Sequence, residues 1–359
     1  MSRSDVRAPA APAAPARAGT VPVIGLTGYL GAGKTSLLNH LLRRPGARIG
    51  VVVNDFGELN VDAGLVTGQV DEPASISGGC LCCVSDTDEL DVALARLTDP
   101  RLALDAIVIE ASGLADPMAL ARLIRFSGVG RVRPGGIVDV VDATHHEETV
   151  DVDDEPPLRY AATALVVVNK LDGVPAGERD VVVERVRARV RRRNPHAHVV
   201  GAVGGRVAPE LLYDVASTQD EPDQLPIRQL MLDAHADGHP HDHVHAESVT
   251  VRADGPVAPG PLVDLLEAPP PGVYRLKGLV AVPARSAVRT YAVNVVGTSV
   301  HVATGRTARP TDGGGLVAIG THLESAAVRE RLRAALRPAP GTPDAAGFRR
   351  LQRLRRLSL

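Results

Sequence analysis

The sequence predicts an α/β fold, in which a mostly parallel sheet covered by helices on both faces is followed by a small α+β domain. Three observations predict it. Short Val/Ile-rich runs alternate with helix-like stretches from residue 21 to residue 203, a polar Pro- and His-containing stretch at 216–248 breaks that rhythm, and a fresh set of strand-like runs begins after it. At 359 residues the chain exceeds one typical domain, so two cores are expected.

The runs at 21–27, 49–54, 106–111, 136–141, 164–169 and 198–203 are apolar on both faces, as strands buried beneath helices on either side must be. Helix-like stretches at 36–44, 88–97, 118–125 and 177–193 lie between them. Strand alternating with helix implies parallel pairing. In the second domain the expected strands are 249–253, 273–282, 289–296 and 299–303, with helices at 261–267 and 324–336. The last of these sets Val328, Leu332, Ala335 and Leu336 on one face at i, i+4, i+7 and i+8. The expected division is a disordered Ala/Pro-rich tail at 1–19, a nucleotide-type domain at 20–215, a His-rich linker at 216–248, an α+β domain at 249–340 and a basic tail at 341–359. Within that tail, 349–359 reads as a terminal helix packed on the second domain. Arg185, Arg187, Arg189, Arg191, Arg192 and Arg193 read as a solvated helix face.

Composition narrows the function. A formal charge of −2, from 40 basic and 42 acidic residues, argues against a chain held to nucleic acid by bulk electrostatics. With no Trp and only 5 Tyr and 3 Phe, neither a base-stacking platform nor an aromatic membrane belt is indicated. No stretch approaches the ~20 apolar residues that span a bilayer, so no membrane partner and a cytoplasmic location are expected. All three cysteines, Cys80, Cys82 and Cys83, fall within four positions, which cannot make a disulfide framework and suits a reducing compartment.

The first strand runs directly into Gly28-Tyr29-Leu30-Gly31-Ala32-Gly33-Lys34-Thr35, and Ser36 opens a helix. This is a phosphate-cradling loop in its required setting: the glycines and Ala32 let backbone N–H groups approach phosphate oxygens, Lys34 bridges the terminal phosphates and Thr35 offers a hydroxyl to Mg²⁺. Asn169-Lys170-Leu171-Asp172 follows a buried run, where a carboxylate can accept both the N1–H and the exocyclic amine of guanine; adenine presents no such donor pair. GTP and GDP are therefore the expected nucleotides. Glu110 ends another run and can reach Mg²⁺ through water, while Gly113 can bring its N–H to the γ-phosphate. Asn54-Asp55-Phe56-Gly57-Glu58 supplies two further carboxylates on a loop.

The three packed thiols favour a soft or borderline ion, Zn²⁺ or Cu⁺, over Mg²⁺ or Ca²⁺; a redox role for Cys82 and Cys83 is the rival. His239, His241, His243 and His245, with His235 before them and Asp233, Asp237 and Asp242 among them, suit weak exchangeable metal capture; a polar linker without a role is the alternative.

In this order the phosphate loop, Asn54 to Glu58, Gly79-Cys80-Leu81-Cys82-Cys83, Glu110 to Pro117 and Asn169 to Asp172 resemble the CobW family of metal-linked GTPases. Arg275-Leu276-Lys277-Gly278 and Ile319-Gly320-Thr321-His322-Leu323 resemble its C-terminal domain. The resemblance implies a P-loop NTPase domain followed by a CobW-type α+β domain. It implies GTP hydrolysis with Lys34, Glu58 and Glu110 catalytic; phosphate and guanine contacts from Gly28, Gly31, Ala32, Gly33, Lys34, Thr35, Ser36, Gly113, Asn169, Lys170 and Asp172; and metal contacts from Thr35, Asp55, Glu58, Glu110, Cys80, Cys82 and Cys83. Asp55 departs from the family, which often has Glu there, and its shorter side chain alters its reach. The function implied is a metallochaperone delivering Zn²⁺, or Co²⁺ or Ni²⁺, to a metal-requiring client protein. The alternative is a zinc-responsive regulatory GTPase acting through a large partner such as the ribosome, for which the basic C-terminus is the only support. A homodimer is among the arrangements the sequence allows.

Overall fold

The computed structural model describes residues 20–43, 48–53, 74–75, 88–113, 115–213, 246–284, 287–305, 314–339 and 344–358. Seven parallel strands form the first sheet: β1 (Val21–Gly28), β2 (Ile49–Val53), β3 (Ala74–Ser75), β4 (Ala106–Glu110), β5 (Val132–Asp142), β6 (Leu165–Asn169) and β7 (His198–Gly201). Their order is β3-β2-β4-β1-β5-β6-β7. Helices α1 (Lys34–Leu42), α2 (Asp88–Leu97), α3 (Pro117–Arg125), α4 (His146–Thr149) and α5 (Arg179–Arg193) are interspersed with these strands. The continuous apolar runs have their cause in this layering. On β1, Ile24 and Leu26 enter one core with Leu37, Leu38 and Leu41 of α1, while Val23 enters another with Leu120 and Ile124 of α3. Strand β4 divides likewise, with Val108 on the α1 side and Ile107 and Ile109 on the other.

The second sheet is antiparallel, in the order β11-β10-β9-β12-β8, from β8 (Glu247–Arg252), β9 (Val273–Ala284), β10 (Ala287–Val296), β11 (Ser299–Thr304) and β12 (Gly314–Gly320). Helices α6 (Pro259–Glu267), α7 (Ser325–Ala335) and α8 (Ala345–Leu357) cover it. Val328 and Leu332 of α7 and Leu351 of α8 share its core with Leu262 and Leu266 of α6. The two sheets meet directly: Tyr274, Val296 and Ile319 from the second lie in the same buried cluster as Val138 and Leu165 of the first.

Several elements, among them β3 and α4, were not in the sequence reading, and three further differences bear on the layout. Strand β5 begins at Val132, four residues before the expected start, because it pairs with β1 from Val21↔Val132 onward. Strand β12 was not expected as a strand; its Gly-rich start carries little β signal, yet it joins β9 to β8. The α5 arginines are not simply solvated: Arg185 pairs with Glu147, Arg189 with Asp151, and Arg193 donates to Pro156 O, pinning residues 147–156 to the helix. At the C-terminus, α8 caps itself through Asp344, which accepts from Gly347 N at 2.8 Å, and buries Leu351. No helix among the described residues is long and apolar enough to cross a membrane.

Candidate functional site

The C-terminal ends of β1, β4 and β6 bring the described members of the sequence-predicted set, Gly28 to Ser36, Glu110, Gly113 and Asn169 to Asp172, to one edge of the parallel sheet. Helix α1 starts at Lys34 with Gly33 as its N-cap, and no side chain caps it. The N–H groups of Lys34, Thr35 and Ser36 therefore lack the intrahelical carbonyls that later residues have, and the positive end of the helix dipole lies at the loop. Gly33 is at φ 102°, and a Cβ there would run into Asn169 Nδ2. Glycine is required by conformation and by space at once. Lys34 Nζ lies back across the loop, donating to Gly28 O at 3.0 Å and Tyr29 O at 3.4 Å.

Thr35 Oγ1 donates to Glu110 Oε1 at 2.9 Å, joining the first turn of α1 to the end of β4, where Glu110 is buried. Beyond it the chain passes close beneath the loop: a Cβ on Gly113 would stand 2.8 Å from Leu30 N. Asp116 then caps α3, accepting from Met118 N at 2.9 Å, with Pro117 in the first turn.

Asn169, buried at the end of β6, donates from Nδ2 to Ala32 O at 2.9 Å and accepts at Oδ1 from Gly205 N at 2.8 Å. Lys170 sits at φ 62° and its Nζ reaches Asp142 Oδ2 at 2.8 Å. Asp172 is exposed in the short 3₁₀ turn Leu171–Gly173.

Two participants escaped the sequence reading. Asp142, the last residue of β5, accepts from Lys170, from Thr144 N at 2.9 Å and Oγ1 at 2.6 Å, and shares a 3.3 Å contact with His145 Nδ1. Burial works against its charge, but the hydrogen bonds from Lys170, Thr144 and His145 outweigh that and hold the carboxyl well below the usual carboxylate range. Gly205, in the loop after β7, ties that loop to Asn169. Both carried a readable signal: an acid at the C-terminal end of a strand, and a Gly204-Gly205 pair after the last one.

Asp55, Glu58, Cys80, Cys82, Cys83, His239, His241, His243 and His245 lie outside the described residues. Among those described, no three His, Cys, Asp or Glu side chains are grouped to hold an ion.

Residues 22–201 match the CobW/HypB/UreG nucleotide-binding domain, and residues 246–336 the cobalamin synthesis protein cobW C-terminal domain. Zinc chaperone CobW of Pseudomonas aeruginosa is 32% identical over 368 residues, covering 88% of this chain and 92% of that protein. Zinc chaperone CobW of Sinorhizobium sp is 29% identical over 356 residues, covering 89% and 98%. Zinc chaperone YjiA of Escherichia coli K12 is 34% identical over 201 residues, covering 54% of this chain and 61% of that protein. With half of its length matched by the nucleotide-binding domain and a second match beyond it, the chain belongs to the CobW/HypB/UreG family.

Proposed function

We propose that this GTPase is a metallochaperone: it binds zinc or a similar divalent ion at Cys80, Cys82 and Cys83 and hands it to a metal-requiring client, with the nucleotide state setting the affinity. One observation carries the reading. The uncapped start of α1, with Thr35 bonded to Glu110, makes an anion-receptive pocket at the sheet edge of a chain whose relatives over its length are zinc chaperones.

In this reading the Lys34, Thr35 and Ser36 N–H groups and the Lys34 ammonium receive the β- and γ-phosphates, and the Gly113 N–H faces the γ-phosphate. Thr35 hydroxyl and Glu110 carboxylate, hard oxygen donors 2.9 Å apart, fit Mg²⁺ and would hold it. When bound, that ion neutralises charge on the phosphates during transfer to water. Glu58 is the proposed orienter of that water. Asn169 braces the loop, Lys170 flanks the base and Asp172 accepts its two donors. The thiolates suit a borderline-soft cargo and need a reducing compartment, hence the cytoplasm. The His-rich segment around His239, His241, His243 and His245 is proposed as a weak capture site, and Asp55 as an auxiliary ligand.

The test uses untagged protein. Turnover of GTP but not ATP, together with stoichiometric zinc that Cys80→Ser/Cys82→Ser/Cys83→Ser loses without losing GTP binding, is the expected result. Zinc retained by the triple variant would overturn the cysteine assignment.

A further inference from the structure

Away from the nucleotide edge, a groove of about 490 Å³ opens where α3 and β5 face β11 and α8. A smaller cavity of about 220 Å³ adjoins it and shares Ile124, Arg125 and Pro134. The larger lies within the ~300–1,000 Å³ of small-ligand sites, which concentrate at domain junctions.

Two side chains give the groove its chemistry. His301 on β11 is 7% exposed and lines the groove. Its neighbour Val302 belongs to the core of the second domain and Val300 packs against that core, so strand alternation turns His301 the other way, towards β5. His301 Nε2 is buried and has no hydrogen-bond partner among the described residues, an arrangement that costs stability unless something answers it. Burial, assisted by the nearby Arg133, pushes its pKa down to about 4, so the imidazole is neutral and Nε2 can carry a proton to donate. Arg125 ends α3, lines both cavities, is exposed and forms no ion pair among the described residues.

The surrounding charges favour an anion. Arg133 on β5 adds to the positive field at His301. One acid lines the groove, Glu267 of α6, and it is paired with Arg350 at 2.6 Å; nearby Asp91 of α2 accepts from Ser127 Oγ at 2.6 Å and Gly128 N at 2.8 Å. Ile124, Val129 and Leu354 supply an apolar wall.

We propose that this interdomain groove binds a small carboxylic acid with a short apolar body. Its carboxylate is held by Arg125 and by His301 Nε2, and its chain lies against Ile124, Val129 and Leu354. A bare phosphate leaves the apolar wall unused, and a neutral molecule of the same length leaves both donors unanswered. The site shares no residue with the nucleotide edge, so either assignment can fail without the other.

Calorimetric titration of the full-length protein with hexanoate, hexanol and inorganic phosphate tests it. Hexanoate is expected to bind saturably and to shift a histidine side-chain NMR resonance that is missing from His301→Gln. Arg125→Ala, an exposed position where folding is not at stake, should weaken hexanoate by roughly tenfold or more through the lost charge-assisted bonds. Absence of saturable hexanoate binding, equal binding of hexanol, displacement of hexanoate by phosphate, or an unchanged affinity in Arg125→Ala would each overturn the proposal.

Discussion

Asn169 uses both ends of its carboxamide on the protein, holding Ala32 O on one side and Gly205 N on the other. It braces the Gly28–Thr35 loop against the loop after β7, and in the proposed reading the carboxylate that meets the base is the exposed Asp172. Asp172→Asn should therefore cost GTP more than it costs xanthosine triphosphate, which presents an oxygen in place of the amine. Each charge-assisted bond is worth ~1.5–3 kcal/mol. Competition binding with the two nucleotides measures it, and an equal loss for both would remove Asp172 from the base pocket. Lys170 in turn is oriented by Asp142. Asp142→Asn should raise the KM for GTP several-fold with kcat little changed, since no proposed phosphate contact is touched; a fall in kcat at constant KM would contradict this. The sequence made Asn169 to Asp172 legible because the motif is contiguous. Asp142 showed only as an acid at a strand end; its partnership with Lys170, 28 positions away, comes from the parallel pairing of β5 with β6, Asp142↔Asn169.

Among the elements, the 3₁₀ segment Leu158–Ala162 is fixed to the sheet by one buried ion pair. Arg159 reaches Asp139 of β5 through Nε–Oδ2 at 2.8 Å and Nη2–Oδ1 at 2.6 Å, and Thr27 of β1 donates to the same carboxylate at 2.9 Å. The Asp139 side chain is fully buried and that of Arg159 is 16% exposed. Breaking such a pair leaves a charge without its counterion, at a cost of about 3–5 kcal/mol, whereas replacing both partners is far milder. Arg159→Met should lower the urea midpoint by that order without changing the slope, and Asp139→Leu/Arg159→Met should recover much of it. A single variant as stable as wild type would show that Asp139 relaxes to other donors. Nothing in the spacing of Thr27, Asp139 and Arg159 announces this cluster. Strands buried on two faces were legible because apolar residues occupy successive positions in them and not only alternate ones. Strand β12 was not, because its place between β9 and β8 is decided by tertiary pairing.

At the scale of the whole molecule the two sheets share a core, and His198 of β7 lies against Tyr274 of β9 with ring centroids 5.2 Å apart. Burial first, then Arg187 and Arg191, push the His198 pKa down to about 4. The unfolded chain, near 6.5, takes up the proton earlier. Stability is therefore complete above about pH 6.5 and declines as pH falls towards 4, by at most ~1.4 kcal/mol per pH unit for this group. His198→Gln should reduce the fall in urea midpoint between pH 6.5 and 5, leaving the part that His301 contributes, and an unchanged slope would mean that the junction admits the charged ring. The final expectation concerns the two ends of the proposed function. Strands β2, β3 and β4 are adjacent and parallel, with Val53 opposite both Glu110 and Ser75. The chain thus leaves β3 for the segment containing Cys80, Cys82 and Cys83 at the same sheet edge where Glu110 meets Thr35. A γ-phosphate that orders this edge should pre-organise the thiolates, and reciprocity requires the metal to favour GTP in return. Replacing GDP by Mg²⁺ and a non-hydrolysable GTP analogue should raise Zn²⁺ affinity by roughly 5–150-fold, the span of a typical coupling. Competition with a calibrated chelator reads it, and changing all three cysteines to serine should abolish the response while leaving GTP binding intact. Equal Zn²⁺ affinity in the two nucleotide states would sink nucleotide-driven delivery, because an ion that does not distinguish the states cannot be released by passing between them.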